Sequence, residues 1–98
     1  VLLIRKEYEL MEVSMESVKI FDTWVKASGV TLHFDVMTRD EATALRLANE
    51  YLAKQGHTTV SVTAQECRFC HAEPLYMFNE GQQRQFRECG GFIVPLTT

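Results

Sequence analysis

Val18-Lys19-Ile20-Phe21-Asp22-Thr23-Trp24-Val25-Lys26 and Val30-Thr31-Leu32-His33-Phe34-Asp35-Val36-Met37 stand on either side of Ala27-Ser28-Gly29. Both runs are rich in β-branched and aromatic residues, and a short glycine-containing gap between two such runs marks a β-hairpin. A two-residue Ser28-Gly29 loop pairs Val25 with Leu32, Thr23 with Phe34 and Phe21 with Val36, which makes one face of the hairpin largely apolar. The other face then sets Trp24 against His33 and Asp22 against Asp35. A slip of one residue would turn the apolar set into solvent, so the sorting itself supports this register. Serine is not the preferred first residue of such a loop, and a bulged loop that shifts the pairing by one is the competing geometry.

Downstream, Thr38-Arg39-Asp40-Glu41 reads as a capping box, with Thr38 as the cap, Glu41 reaching back to it, and two acids in the electropositive first turn. Ala42, Leu45, Ala48 and Leu52 follow at steps of three and four and give the helix an apolar stripe, and Lys54 and Gly56 close it. Thr58 to Ala64 alternates around Val60 and Val62 and reads as a third strand. The strand–helix–strand order predicts that strands two and three are parallel with a right-handed crossover. Pro74 can start a second helix, or Asn79 can cap one with Gln82 at its third position, and Phe86 and Cys89 face inward on it. Gly90-Gly91 stops that helix, and Phe92 to Leu96 makes a short last strand whose Pro95 suits an edge or a strand end. The expected fold is α+β in ββαβαβ order. It has a four-stranded mixed sheet with both helices on the apolar face, which leaves the Trp24–His33 face open.

With 98 residues there is room for one domain, and a 46% apolar share is enough for a core without a metal or a disulfide. Ten basic against thirteen acidic residues leave a net charge of −3 and no basic stripe, which argues against nucleic acid as a partner. No apolar stretch approaches the roughly 20 residues that span a bilayer, so no membrane partner is expected either. Val1-Leu2-Leu3-Ile4 falls short of the about 7–15 apolar residues of a secretory signal. A reducing cytoplasm is therefore the expected location, unless a leader precedes Val1. Residues 1–16 keep neither a helical nor a strand period, so they read as a poorly ordered leader or a stretch foreign to the domain, with 17–98 as the single α+β domain.

Three cysteines do not make a secreted disulfide scaffold. Cys67-Arg68-Phe69-Cys70-His71 is spelled like a c-type haem attachment site, but haem would need export and a largely helical pocket, and both are missing from this reading. Cys67, Cys70 and His71 can instead contribute to a zinc site, with Cys89, His57 or His33 as fourth ligand, although no second C-x-x-C strengthens the pattern. Thiol redox chemistry, with Arg68 and His71 assisting a thiolate, lacks a helix starting directly at the pair, since Pro74 delays it. Two thiols packing under Phe69 is the plainer reading. On the hairpin, Asp22 and Asp35 in direct opposition would repel unless a cation, a shared proton or solvent offsets them. With Trp24 and His33 beside them they form a candidate binding surface for a small ligand, a metal or a protein.

Phe21-Asp22-Thr23-Trp24-Val25-Lys26, His33-Phe34-Asp35-Val36 and Glu66-Cys67-Arg68-Phe69-Cys70-His71 together resemble a bacterial family catalogued as a domain of unknown function (number twenty-twenty-four). The likeness spans about residues 17–96 and is most specific in the Cys segment. It implies a small, single-domain intracellular protein and supplies no activity, cofactor or catalytic residue.

The functional expectation is a non-enzymatic binding module using the open sheet face through Asp22, Trp24, His33 and Asp35. A homodimer, a small protein or a small ligand is the expected partner, and no cofactor is required. The alternative is a zinc or thiol-redox protein centred on Cys67, Cys70 and His71. No G-x-S-x-G elbow or phosphate-binding glycine loop supports an enzyme, and nothing selects a Cys–His nucleophilic pair.

Overall fold

Strands β1 (Ser17–Ala27) and β2 (Val30–Thr38) form an antiparallel hairpin in the computed structural model, which describes residues 16–27, 29–57, 60, 62–63 and 67–96. The expected register is observed at every pair named above: Val25 faces Leu32, Trp24 faces His33, Thr23 faces Phe34, Asp22 faces Asp35 and Phe21 faces Val36. Ala27 pairs with Val30, and Gly29 between them takes a φ of 78°, a left-handed value that glycine adopts without strain. Ser28 lies outside the described residues.

Helix α1 (Glu41–Lys54) follows, and its cap is Asp40 rather than Thr38. Thr38 completes β2, pairs with Lys19, and spends its hydroxyl on the Gly90 carbonyl at 2.6 Å. The capping role therefore passes two residues on, where the Asp40 carboxylate accepts from the Thr43 amide at 2.8 Å. The buried stripe is Ala44, Leu47, Ala48 and Leu52, while Ala42 is exposed and Leu45 only partly buried. Ala44 and Ala48, both fully buried, present little bulk where the helix lies on the sheet.

The third strand is displaced from its expected place. Val60, Val62 and Thr63 are described and are not in a strand, and the remaining residues of the 58–64 segment except these lie outside the described set. Val62 is buried against the α1 side of the sheet and its amide donates to Asn49 Oδ1 at 3.1 Å, so the apolar alternation there serves packing. Strand β3 is Cys67–Pro74, which puts the Cys run inside a strand that starts beyond the expected 58–64 segment. Among the described residues it is an edge strand that pairs on one side only, and most of its side chains face solvent, so no alternating apolar pattern announces it.

After a short 3-10 turn at Leu75–Met77, helix α2 (Glu80–Cys89) begins with a full capping box between Asn79 and Gln82, and Gly90 ends it at a φ of 89°. Phe86 is buried as expected, but Cys89 is exposed. Strand β4 (Gly91–Pro95) closes the sheet in the order β3-β1-β2-β4. Every neighbouring pair is antiparallel, so the expectation of a mixed sheet is corrected. Strands β2 and β3 do run the same way, but β1 lies between them and they never pair.

The two helices do not share a face. Phe21, Val25, Phe34 and Val36 pack with α1 on one side of the sheet, whereas Phe86 of α2 joins Val18, Ile20, Met37, Leu75 and Phe92 on the other. β1 records this division: Val18 and Ile20 are buried toward α2, then Phe21, Thr23, Val25 and Ala27 toward α1. Both-helices-on-one-face fails because the hairpin is apolar on alternate sides at its two ends. Among the described residues, only the half of the second face that holds Asp22, Trp24, His33 and Asp35 is left uncovered. The expected leader lies outside the described residues as far as position 15, while Glu16 is tied down by its carbonyl to the Leu75 amide at 2.8 Å and by its carboxylate to Arg39.

Candidate functional site

The uncovered half-face is built by the alternation of the two central strands. Asp22 and Trp24 point out of β1, and His33 and Asp35 point out of β2 on the same side, in two adjacent cross-strand pairs. Trp24 is 49% exposed, an unusual position for the only tryptophan of the chain. It is nonetheless held. Its ring stacks on the His33 imidazole with centroids 3.6 Å apart and planes 11° from parallel. Its Nε1–H donates to Asp22 Oδ2 at 3.0 Å, and His33 Nε2 makes a short contact with Asp22 Oδ1. One carboxylate thus ties the indole and the imidazole into a single unit.

The two acids are driven apart. Burial works to raise the Asp22 pKa, but the hydrogen bonds from His33 and Trp24, together with the His33 charge, outweigh it and hold the carboxyl below its ordinary value. Asp35 goes the other way: burial and then the negative charge of Asp22 push it above its ordinary value, against weaker opposing pulls from His33 and His71. Asp22, His33 and Asp35 each offer one ligand atom, and these atoms all lie within 4.8 Å of one another.

The Cys run is arranged differently. Cys67 pairs with Thr23, is buried in the α1-side core, and accepts a hydrogen bond from Thr23 Oγ1 at 3.5 Å. Burial pushes its thiol pKa up. Ile20 pairs with His71 and Phe21 with Phe69, which leaves Cys70 as the extra residue of a β-bulge, exposed, with its thiol directed to the Arg68 carbonyl at 3.6 Å. His71 is exposed and stands 3.7 Å from Glu73. Among the described residues, Cys67, Cys70 and His71 are not brought together as a ligand group, and the plainer reading of packed thiols fits Cys67 alone.

Three neighbours of the half-face escaped the sequence reading as parts of that surface. β3 borders β1, so Arg68 stands opposite Asp22 and His71 opposite Ile20, on the same side as the cluster. At the other margin the Leu96 amide donates to the His33 carbonyl at 2.9 Å, and Leu96 is exposed. The missed signal was strand order, which no local pattern carries. A separate cleft lies along β4 where α1 and α2 both reach it, lined among others by Leu47, Glu50, Lys54, Gln85, Cys89 and Ile93.

The chain matches the model of the family described as Domain of unknown function (DUF2024) over residues 15–96, and it belongs to that family. None of the curated proteins compared matches it. It is similar to the NMR structure of protein NE1680 from Nitrosomonas europaea, at 34% identity and a TM-score of 0.68, over 83% of this chain and 95% of that one. This likeness supports the four-stranded α+β architecture. Among the described residues, no helix is long and apolar enough to cross a membrane.

Proposed function

We propose that this member of the family is a non-enzymatic binding module whose recognition surface is the half-face of Asp22, Trp24, His33 and Asp35. The observation that carries this reading is a half-exposed tryptophan fixed in advance by a stacked imidazole and a carboxylate. A flexible exposed aromatic must be ordered when a ligand arrives, at a cost of about 0.5–1.5 kcal/mol for an immobilised side chain. Here that ordering is already done in the free protein, and the indole offers a large flat contact with low entropy loss. Leu96 adds an apolar margin, while Asp22, Asp35 and Arg68 supply polar groups for orientation. The occupant is a small polar ligand or a protein partner, a second copy of this chain included.

The test is a ligand screen by two-dimensional NMR with small polar compounds and short peptides, reading the Trp24 indole N–H. Binders are expected to shift that signal together with the amides of Asp22, His33 and Asp35, and Trp24→Ala is expected to abolish binding while the remaining spectrum stays folded. Binders that map to the cleft along β4, or that survive Trp24→Ala, would overturn the reading.

A further inference from the structure

We propose that Asp22, His33 and Asp35 form a binding site for a first-row divalent metal ion, with Trp24 as the group that orients its ligands. The inference rests on the reading of the half-face as the binding surface and gives that surface a ligand of stated chemistry.

Four features of the cluster point the same way. Donors around a tetrahedral ion at about 2.0–2.2 Å stand about 3.4 Å apart. The three ligand atoms already lie within 4.8 Å of one another, so the widest pair closes by at most about 1.4 Å and the Asp22–His33 pair, now in hydrogen-bond contact, opens by a comparable amount, both within ordinary side-chain torsion. Next, the two carboxylates are directly opposed on adjacent strands, and a cation between them removes the repulsion that this pairing otherwise carries. The third feature is the support around the ligands. The ion would take the place of the proton between Asp22 Oδ1 and His33 Nε2, while Trp24 Nε1–H holds Asp22 Oδ2 and the indole stack fixes the plane of the imidazole. Metal sites are commonly held by such outer contacts, which orient the ligands before the ion arrives. Finally, all the ligands stand on the two central strands of the sheet rather than on loops, where they are held rigidly.

The donor set of one imidazole nitrogen and two carboxylate oxygens selects for zinc, manganese, iron or nickel over magnesium and calcium, which take oxygen alone. Three protein ligands from one side leave the solvent side of the ion open to water or to a further anionic ligand. The softer Cys67, Cys70 and His71 set does not compete as a unit, because Cys67 lies in the α1-side core and Cys70 in the exposed bulge.

The experiment uses the full chain stripped with a chelator and carrying Cys70→Ser and Cys89→Ser, which removes the two exposed thiols as trivial zinc ligands. Zinc is titrated and counted by native mass spectrometry, and manganese is titrated in NMR, where it broadens signals near it. The expected result is one zinc per chain and broadening greatest at the Trp24 indole and at the amides of Asp22, His33 and Asp35. Asp35→Asn, nearly identical in shape, should weaken zinc binding roughly tenfold or more, and His71→Ala should leave it unchanged. Broadening centred on His71 and Glu73, a dissociation constant above about 1 mM, or zinc binding indifferent to Asp35→Asn would overturn the proposal. If metal fails but organic ligands still shift the Trp24 indole, only the metal assignment falls; if both fail, the binding surface falls with it.

Discussion

Replacing Asp35 with Asn should stabilise the metal-free protein, although Asp35 lies in the proposed site. Asp22 and Asp35 face each other across β1 and β2 and bring ligand oxygens within 4.8 Å. Two unit charges at that separation repel by about 0.9 kcal/mol in the dielectric of water and about 3.5 kcal/mol at an effective constant of about 20. Both carboxylates are only partly buried and His33 offsets some of the repulsion, so the lower figure governs and the expected gain is about 0.5–1 kcal/mol. The sign agrees with the titration of Asp35. A carboxyl whose folded pKa is raised costs stability once ionised, so Asn removes a cost that is present at neutral pH. As pH falls through the raised range of Asp35 the native carboxyl neutralises itself, and the advantage of the variant should fade. The assay is urea denaturation with chelator present, comparing midpoints at equal slope at pH 7.5 and again in acid. A variant midpoint at or below that of the parent at pH 7.5, or a gain that persists undiminished in acid, would refute the repulsion account.

The three thiols should react in a fixed order: Cys70 and Cys89, both exposed, label rapidly, and Cys67 labels only as the protein unfolds, because it is buried and its thiol is harder to ionise. Fast labelling of Cys67 by mass spectrometry in native buffer would contradict its place in the core. Gly91→Ala should be costly, since a Cβ there would meet the Met37 carbonyl oxygen at 2.3 Å, Leu47 Cδ1 at 2.7 Å and Thr38 Cβ at 2.9 Å. Overpacking of this kind costs about 1–3 kcal/mol, which for a domain of this size is a fall in Tm of roughly 10 °C, and a calorimetric Tm unchanged within about 2 °C would show that β4 shifts freely.

The hairpin was legible because its two strands carry opposite sorting on opposite faces, and the cross-strand pairs Trp24–His33 and Asp22–Asp35 followed from the register alone. The α2 cap was legible too, since Asn79 and Gln82 are spaced for a reciprocal hydrogen bond. Strand β3 was not, because Arg68 to Ala72 face solvent on an edge and need no apolar period, while the alternation around Val60 and Val62 that looked like a strand is spent on packing. The division of the helices between two faces was hidden in β1, where Ile20 and Phe21 are both buried but on opposite sides. Adjacent apolar residues of that kind break the period that sequence reading depends on. For the same reason the candidate surface was placed on the right strands but drawn too large in extent and without its bordering Arg68, His71 and Leu96: α2 covers the end of the face that holds Val18, Ile20 and Met37.

The central claim is that the chain is built to hold something against Trp24, and native mass spectrometry of the protein as isolated, beside Trp24→Ala and Asp35→Asn, tests it most directly. The account predicts that the parent carries added mass (a metal ion, a small molecule or a second copy of the chain) and that both variants lose it while remaining folded. A parent that flies as the bare chain, or added mass that both variants keep, would contradict it.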